Sequence, residues 1–342
     1  MRLPSIVAGA SLLSSACGLN ILVNNDDSWA AANIREFYKA LKASGHNVLL
    51  VAPAVQQSAK GGTVVFADVR NLTTPGEFDS VPAGSPSFGQ DPNDSHMWYY
   101  NGTPAACTFF ALDYVLPRQE PFGPGVLPDL MVSGPNVGSN AGPFVFTLSG
   151  SLGAAYSAVE RGIPSIAFSA VNSTHRGYTD VADGDTADVA VVHAKLSTAI
   201  VDRLAENFDK GHGHWRRRKD SDRLLPLGYG LNVNIPLITD TCTEPNYVQT
   251  RLTGGAVVDI AVYNETTGLF KYGDDLNDGV NACINGDCRL PGETLVIKKC
   301  AVAVSVFTTD FDAPNCRGDP EVRQKLEGLV HYAKVKAKRW VF

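Results

Sequence analysis

The stretch "NILVNNDDSWAAANIREFYKALKASGHNVLLVAP", residues 20–53, decides the fold. Its strand-like residues, Ile21 to Asn24, run into Asn25-Asp26-Asp27. A helical pattern over 29–44 follows, with Ile34, Phe37, Tyr38 and Leu41 on one face and Gly45 as its stop. "NVLLVAP" (47–53) then reads as a buried strand closed by Pro53. Strand, helix and strand at this length make a right-handed parallel crossover. One aspartate at a strand's carboxyl end can cap the next helix. Two side by side, with no Arg or Lys adjacent, point to a cation supplied from outside the segment.

The same alternation continues outward. "GTPAACTFFALDYVL" (102–116) predicts a helix with Thr103 as cap and Pro104 as first residue. "PDLMVSG" (128–134) and "PSIAFSA" (164–170) predict buried strands, and "LGAAYSAVERG" (152–162) a helix between them, stopped by Gly162. Residues 73–95, rich in Pro, Gly, Ser and Asp, read as a long loop. The expected class is α/β, a Rossmann-like doubly wound, mostly parallel sheet. After a long helical pattern at 186–206 and a basic hinge at 212–222, strands are expected at 229–238, 255–263 and 294–309 with hairpin-like spacing. A closing helix is expected at 320–337. The organisation is a leader at 1–18, an α/β catalytic domain at 19–210, and a hairpin-and-helix region at 211–342 completing that domain.

Composition narrows the partners. A chain of 342 residues with 44% hydrophobic content has ample core, and a formal net charge of −6 argues against a nucleic-acid polymer. The start, "MRLPSIVAGASLLSSACG", fits a secretory signal peptide whose apolar core is too short to span a bilayer. No later stretch reads as a membrane span. Acceptor sequons at Asn71, Asn93, Asn172 and Asn264 support a secreted, glycosylated protein; a fifth at Asn101 is weakened by Pro104. Cys242, Cys283, Cys288, Cys300 and Cys316 crowd the last third and read as a disulfide-stapled region of undetermined pairing. Paired C-x-x-C units are missing, which argues against zinc.

Four loops follow predicted strands and carry polar residues: Asn25-Asp26-Asp27; "APAVQQSAKGG" (52–62) with Ser58; "SGPNVGSNAG" (133–142) with Asn136 and Asn140; and "TLSGSLGAA" (147–155). Ligands of such sheets bind outside the strands' carboxyl ends, which brings these loops to one edge. Each alone is equally well read as a turn or cap. Together, two carboxylates, a hydroxyl and an amide carbonyl are hard oxygen donors, suited to Mg²⁺, Mn²⁺ or Ca²⁺. The Ser-Gly-Ser turn opening a helix offers hydroxyls and N–H groups to an anion such as phosphate. A cation beside an anion cradle points to metal-assisted phosphoester hydrolysis.

The segments "ILVNNDDSWAAANI", "VAPAVQQSA", "NGTPAAC", "PDLMVSGPNVGSN" and "SGSLGAAYSAVERGIPSIAFS", in that order, resemble the SurE family of phosphatases and nucleotidases, in its secreted fungal acid-phosphatase-like branch. The resemblance implies one divalent ion, Mg²⁺ or Mn²⁺, held by Asp26, Asp27, Ser58 and Asn136. It implies a phosphate pocket of Asn140, Ser149, Gly150 and Ser151, bordered by Asn101 and Thr103. Asp26 and Asp27 are the catalytic pair, Asp27 being the better candidate for a base. The implied reaction is hydrolysis of nucleoside monophosphates or other small phosphomonoesters. The implied assembly is a homodimer or homotetramer with exchanged C-terminal elements, a disulfide-rigidified monomer being the alternative.

Three residues depart from the commoner pattern. Ser28 stands where Gly is usual, Pro135 where an aliphatic residue is frequent, and Ser151 where Thr is usual. The scattered histidines carry no R-H-G-x-R-x-P motif, and His212 and His214 flank arginines that would repel a metal. Arg216, Arg217, Arg218 and Lys219 read as a solvated loop or a dibasic protease site. A catalytically silent binder of a nucleotide or phosphosugar remains the alternative function. A nucleotide-using transferase lacks its Walker or G-x-G-x-x-G signature.

Overall fold

The computed structural model describes residues 18–171, 174–206, 208, 223–253, 258–275, 283–312, 319–327 and 329. The expected leader up to Cys17, the sequon at Asn172, His212, His214, the 216–219 basic run and Cys316 lie outside the described residues.

The opening crossover forms as the sequence predicts: β1 (Asn20–Asn24), α1 (Ala32–Ala43) and β2 (Asn47–Pro53). The region expected as a loop over 73–95 instead contains β3 (Phe88–Asp91), which turns into β4 (Asp94–Tyr100). Their polar, Pro-containing turn hid the pair, because β3 is a short edge strand with little apolar content. A helical run follows as α2 (Pro104–Phe110), a π-turn (Ala111–Val115) and α3 (Leu116–Gln119). Then come β5 (Leu130–Val137), α4 (Pro143–Leu148), α5 (Gly150–Glu160), β6 (Ser165–Ala170) and α6 (Val189–Glu206).

The C-terminal region departs more from expectation. It contains β7 (Tyr229–Ile235), β8 (Asn246–Thr250), β9 (Val258–Asn264), β10 (Leu269–Asp275), α7 (Glu293–Ile297), β11 (Ala301–Thr308) and α8 (Asp319–Lys325). The strand expected over 294–309 is therefore a short helix followed by a strand. The apolar run "TLVI" fits either state, and periodicity cannot separate them at that length. The helix expected at 320–337 ends at Lys325, and residues from 330 onward lie outside the described residues.

The main sheet has the order β3-β4-β2-β1-β5-β6-β7-β11-β8. From β4 to β7 every neighbouring pair is parallel, so six strands share one carboxyl edge. β11 runs antiparallel to β7 and parallel to β8, bringing the C-terminal region into the same sheet. β9 and β10 form a separate antiparallel hairpin, so the hairpin spacing seen in the sequence joins β9 to β10 and not to β7.

Both faces of the central strands are buried, which is why they read as continuous apolar runs. Successive residues point to opposite faces. Ile21, Val23, Leu50, Val132 and Phe168 join one core with Ile34 and Phe37 of α1. Leu22, Leu49, Val51 and Met131 join the other with Ala106 and Phe110 of α2 and Ala158 of α5. Phe37 and Phe168 meet edge to face, ring centroids 5.3 Å apart, both fully buried. Each such side chain contributes roughly 1.5–3 kcal/mol through burial alone. Cys242–Cys300 and Cys283–Cys288 are disulfides, and Cys107 is a buried free thiol in α2.

Candidate active site

Asp26 and Asp27 leave β1 at the centre of the carboxyl edge, and both are almost fully buried. The turn before α5 is aimed at Asp26. Ser151 Oγ donates to Asp26 Oδ1 (2.6 Å), and the Gly150 N–H donates to Asp26 Oδ2 (3.1 Å). The anion sitting at this helix N-terminus is thus a carboxylate of the protein itself, favoured by the exposed N–H groups and the helix dipole. Ser149 is the N-cap, its hydroxyl oxygen accepting from the Leu152 N–H (3.2 Å). Its hydroxyl hydrogen meets no acceptor among the described residues.

Asp27 is held differently. Its Oδ2 accepts from the Val137 N–H (2.8 Å), its Oδ1 from Gln56 Nε2 (3.3 Å), and its main-chain oxygen from His175 Nε2 (2.9 Å). Gln56 is a bridge. Its Oε1 accepts from the hydroxyl and the N–H of Ser58, at 3.0 and 2.9 Å, so the exposed Ser58 is tied to Asp27 through one amide. Loop 54–62 is pinned from below by α5: a Cβ on Gly153 would fall 1.9 Å from the Gly61 carbonyl oxygen. Only a glycine at 153 allows those backbones to approach so closely.

Asn136 reaches the site because β5 is interrupted. Its ladder with β6 shifts between Ser133 and Asn136, and pairing resumes at Asn136–Ser169. Irregularities of this kind re-aim side chains next to active sites. The Asn136 Nδ2 donates to the carbonyls of Gly138 (2.9 Å) and Val137 (3.3 Å), which fixes the amide's orientation. Its Oδ1 is left buried without a hydrogen-bond partner, an arrangement that costs about 1–3 kcal/mol if nothing compensates it.

Asn140 is clasped by β7. Its N–H donates to Asn234 Oδ1 (2.7 Å), its carbonyl accepts from Asn232 Nδ2 (3.0 Å), and its own Nδ2 donates to Ser169 Oγ (2.7 Å). Beneath it lies Glu293, fully buried, accepting from Asn232 Nδ2 (2.8 Å) and the Gly142 N–H (2.9 Å). Asn101 follows β4 at the same edge. Thr103 precedes α2 without capping it: its hydroxyl donates to the Thr63 carbonyl and accepts from the Val65 N–H, tying loop 63–65 in place. Asn71, Asn93 and Asn264 are exposed.

Burial and mutual repulsion govern the electrostatics. Desolvation, then the charge of Asp27, pushes the Asp26 carboxyl up to about 7, although the Ser151 hydrogen bond opposes this. Desolvation also raises Asp27, against the hydrogen bonds from Val137 and Gln56. No Lys or Arg contact to either carboxylate occurs among the described residues. Two desolvated carboxylates beside an unsatisfied amide oxygen suit a hard cation. Among the described residues, no group of three or more His, Cys, Asp or Glu is placed to hold a metal ion by itself, so a cation would also need the Asn136 and Ser58 oxygens. A cavity of about 560 Å³ lies between α6, the edge strand β8 and its neighbour β11, where none of these residues stands.

Sequence reading missed Gln56, His175 and Glu293. Gln56 stood inside a flagged loop, two residues before Ser58. His175 had no signal beyond its position in the loop after β6, and Glu293, just ahead of the strand expected at 294–309, had none at all.

A parallel sheet whose carboxyl edge gathers paired aspartates, an asparagine carbonyl and a helix N-terminus defines an α/β protein with an oxygen-donor site. Residues 21–258 match the family described as "Survival protein SurE". An "Acid phosphatase" of Yarrowia lipolytica is 48% identical over 321 residues, covering 92% of this chain and 85% of that protein. A "5'-nucleotidase SurE" of Desulfovibrio desulfuricans is 34% identical over 164 residues, 48% of this chain and 54% of that protein. The chain thus matches about half the length of that bacterial relative. The crystal structure of a SurE protein from Aquifex aeolicus shares the fold, with a TM-score of 0.59, 21% identity, and coverage of 90% of this chain and 99% of that one. The chain belongs to the SurE family.

Proposed function

We propose that the protein is a metal-dependent phosphomonoesterase of the 5′-nucleotidase or acid-phosphatase type, acting on nucleoside monophosphates or other small phosphomonoesters. One observation carries this reading: two buried carboxylates with raised pKa stand on the edge that also holds the partnerless Asn136 Oδ1. A divalent cation, Mg²⁺ or Mn²⁺, would be held by Asp26, Asp27, Ser58 and Asn136, and would polarise a phosphate oxygen and offset the charge of both aspartates.

The chain's own groups have distinct tasks. Ser151 and Gly150 hold Asp26. Asp27 would take the proton from the water that attacks phosphorus, as general base, while the ester P–O bond breaks and the alcohol leaves, taking its proton from solvent. Asn140 and Ser149 are the donors left for the phosphate, with Asn101 bordering the pocket. The names of the Yarrowia and Desulfovibrio relatives support the reaction class.

Secretion is supported by the two disulfides and by exposed sequons at Asn71, Asn93 and Asn264. Residues 211–342 complete the catalytic domain, as the pairing of β7 and β11 supports. A homodimer or homotetramer remains the proposed assembly.

The test is phosphate release from an aryl phosphate and from a nucleoside 5′-monophosphate, with Mg²⁺ or Mn²⁺ and with chelator. Asp27→Asn should fold and lose activity by more than about 100-fold. Undiminished turnover in that variant, or in excess chelator, overturns the proposal.

A further inference from the structure

The turn at residues 76–81 holds an aromatic ring beside the Gln56 segment of the site. It is clamped by the Gly76 N–H on the Val81 carbonyl (2.8 Å) and the Glu77 N–H on the Ala54 carbonyl (2.9 Å), just beyond β2. Glu77 Oε2 also accepts from the Gln56 N–H (2.9 Å), the residue that bridges Ser58 and Asp27. Within this turn Phe78 and Asp79 both take left-handed backbone conformations, φ 56° and 53°. Such strain in non-glycine residues persists only where surrounding structure enforces it, and it concentrates at functional sites.

The strain presents the Phe78 ring to His175, centroids 4.8 Å apart. His175 in turn donates from Nε2 to the Asp27 main-chain carbonyl, so the phenyl ring stands one imidazole away from the backbone that carries the proposed base. Gly177 lies under the ring: a Cβ there would sit 3.3 Å from Phe78 Cβ and Cγ. The ring is thus packed on one side, while Phe78 as a residue remains 39% exposed. An apolar ring held rigid and wet, on a strained backbone, serves packing poorly.

We infer that Phe78, backed by His175 and Gly177, is the platform on which the leaving group of the phosphomonoester stacks, so that the enzyme prefers esters of planar aromatic groups, nucleobase-bearing or aryl. This rests on the phosphomonoesterase reading and assigns the side of the site facing away from the phosphate. Stacking tolerates any planar ring, because each presents a π-face.

The experiment compares wild type, Phe78→Ala and Phe78→Trp on a nucleoside 5′-monophosphate, an aryl phosphate and glycerol 3-phosphate, with thermal melts confirming that each variant folds. Phe78→Ala should lower kcat/KM about tenfold on the two aromatic esters, chiefly through KM, and at least fivefold more than on glycerol 3-phosphate. Phe78→Trp should restore the aromatic preference. An equal loss on all three esters, or no loss, overturns the inference. If wild type released no phosphate from any ester, the phosphatase reading would fall. Calorimetry of nucleoside monophosphate binding would then decide the platform, with weaker binding by Phe78→Ala supporting it and equal binding overturning it.

Discussion

Replacing Glu293 with glutamine removes a charge buried where water does not reach. Desolvation pushes this carboxyl up to about 7 from the ordinary 4.5, against hydrogen bonds from Gly142, Ser305 and Asn232. The folded state therefore holds its proton over a range in which the unfolded chain has released it. Stability from this group is present below about pH 4.5 and declines as pH rises to about 7, where the buried carboxylate must ionise. The separation, at about 1.4 kcal/mol per pH unit, amounts to about 3 kcal/mol. Glutamine keeps one acceptor oxygen, while its NH₂ takes the place of the other and faces the Asn232 amide or the Gly142 N–H; that cost is the same at every pH, so the pH-dependent part of the difference still reports the carboxyl. Urea denaturation of wild type and Glu293→Gln at pH 4.5, 6 and 7.5 should show wild type losing about 3 kcal/mol relative to the variant across that range. Asp26 and Asp27 titrate in the same sense but are common to both proteins, so the difference isolates Glu293. Parallel pH–stability curves, or a variant that weakens as pH rises, would refute the reasoning.

Two further substitutions probe the backbone of the site. Ser28 sits at φ 95°, a conformation that costs a non-glycine residue about 1–2 kcal/mol. Ser28→Gly should stabilise the fold by about 1 kcal/mol after the entropy cost of glycine, read from the urea midpoint; a destabilised variant would show that no strain is stored there. Gly153→Ala would press a methyl into the Gly61 carbonyl, and should cost about 1–3 kcal/mol in urea denaturation while weakening the activity that depends on the Ser58 loop; wild-type stability would contradict the close approach.

Much of this protein was legible in its sequence because the signals were local. The crossover at 20–53, the Pro-initiated helix after Asn101 and the strands at 130 and 165 follow from apolar periodicity and from helix stops that any chain obeys. Hard-donor residues after each strand were legible for the same reason: a parallel sheet sends its loops to one edge. The strands β3, β4, β8 and β10 were missed: β3 and β8 are sheet edges and β10 belongs to a two-stranded hairpin, all with little apolar pattern of their own, and β4 begins inside the polar stretch read as a loop. The run at 294–309 was misread because four apolar residues do not distinguish helix from strand.

What the amino-acid order determined by itself was the run of elements and the kinds of side chain at each loop. Which partner each side chain chose was decided by tertiary structure alone. Ser151 faces Asp26 because α5 docks with its N-terminus on that carboxylate, and Asn136 keeps a bare oxygen because β5 breaks its ladder where Asn136 rejoins β6. Glu293 became an interior charge because β11 and β7 pair across 61 residues of chain between Glu293 and Asn232. Burial and repulsion depend on distances between segments far apart in sequence, and those distances exist only once the sheet has closed over them.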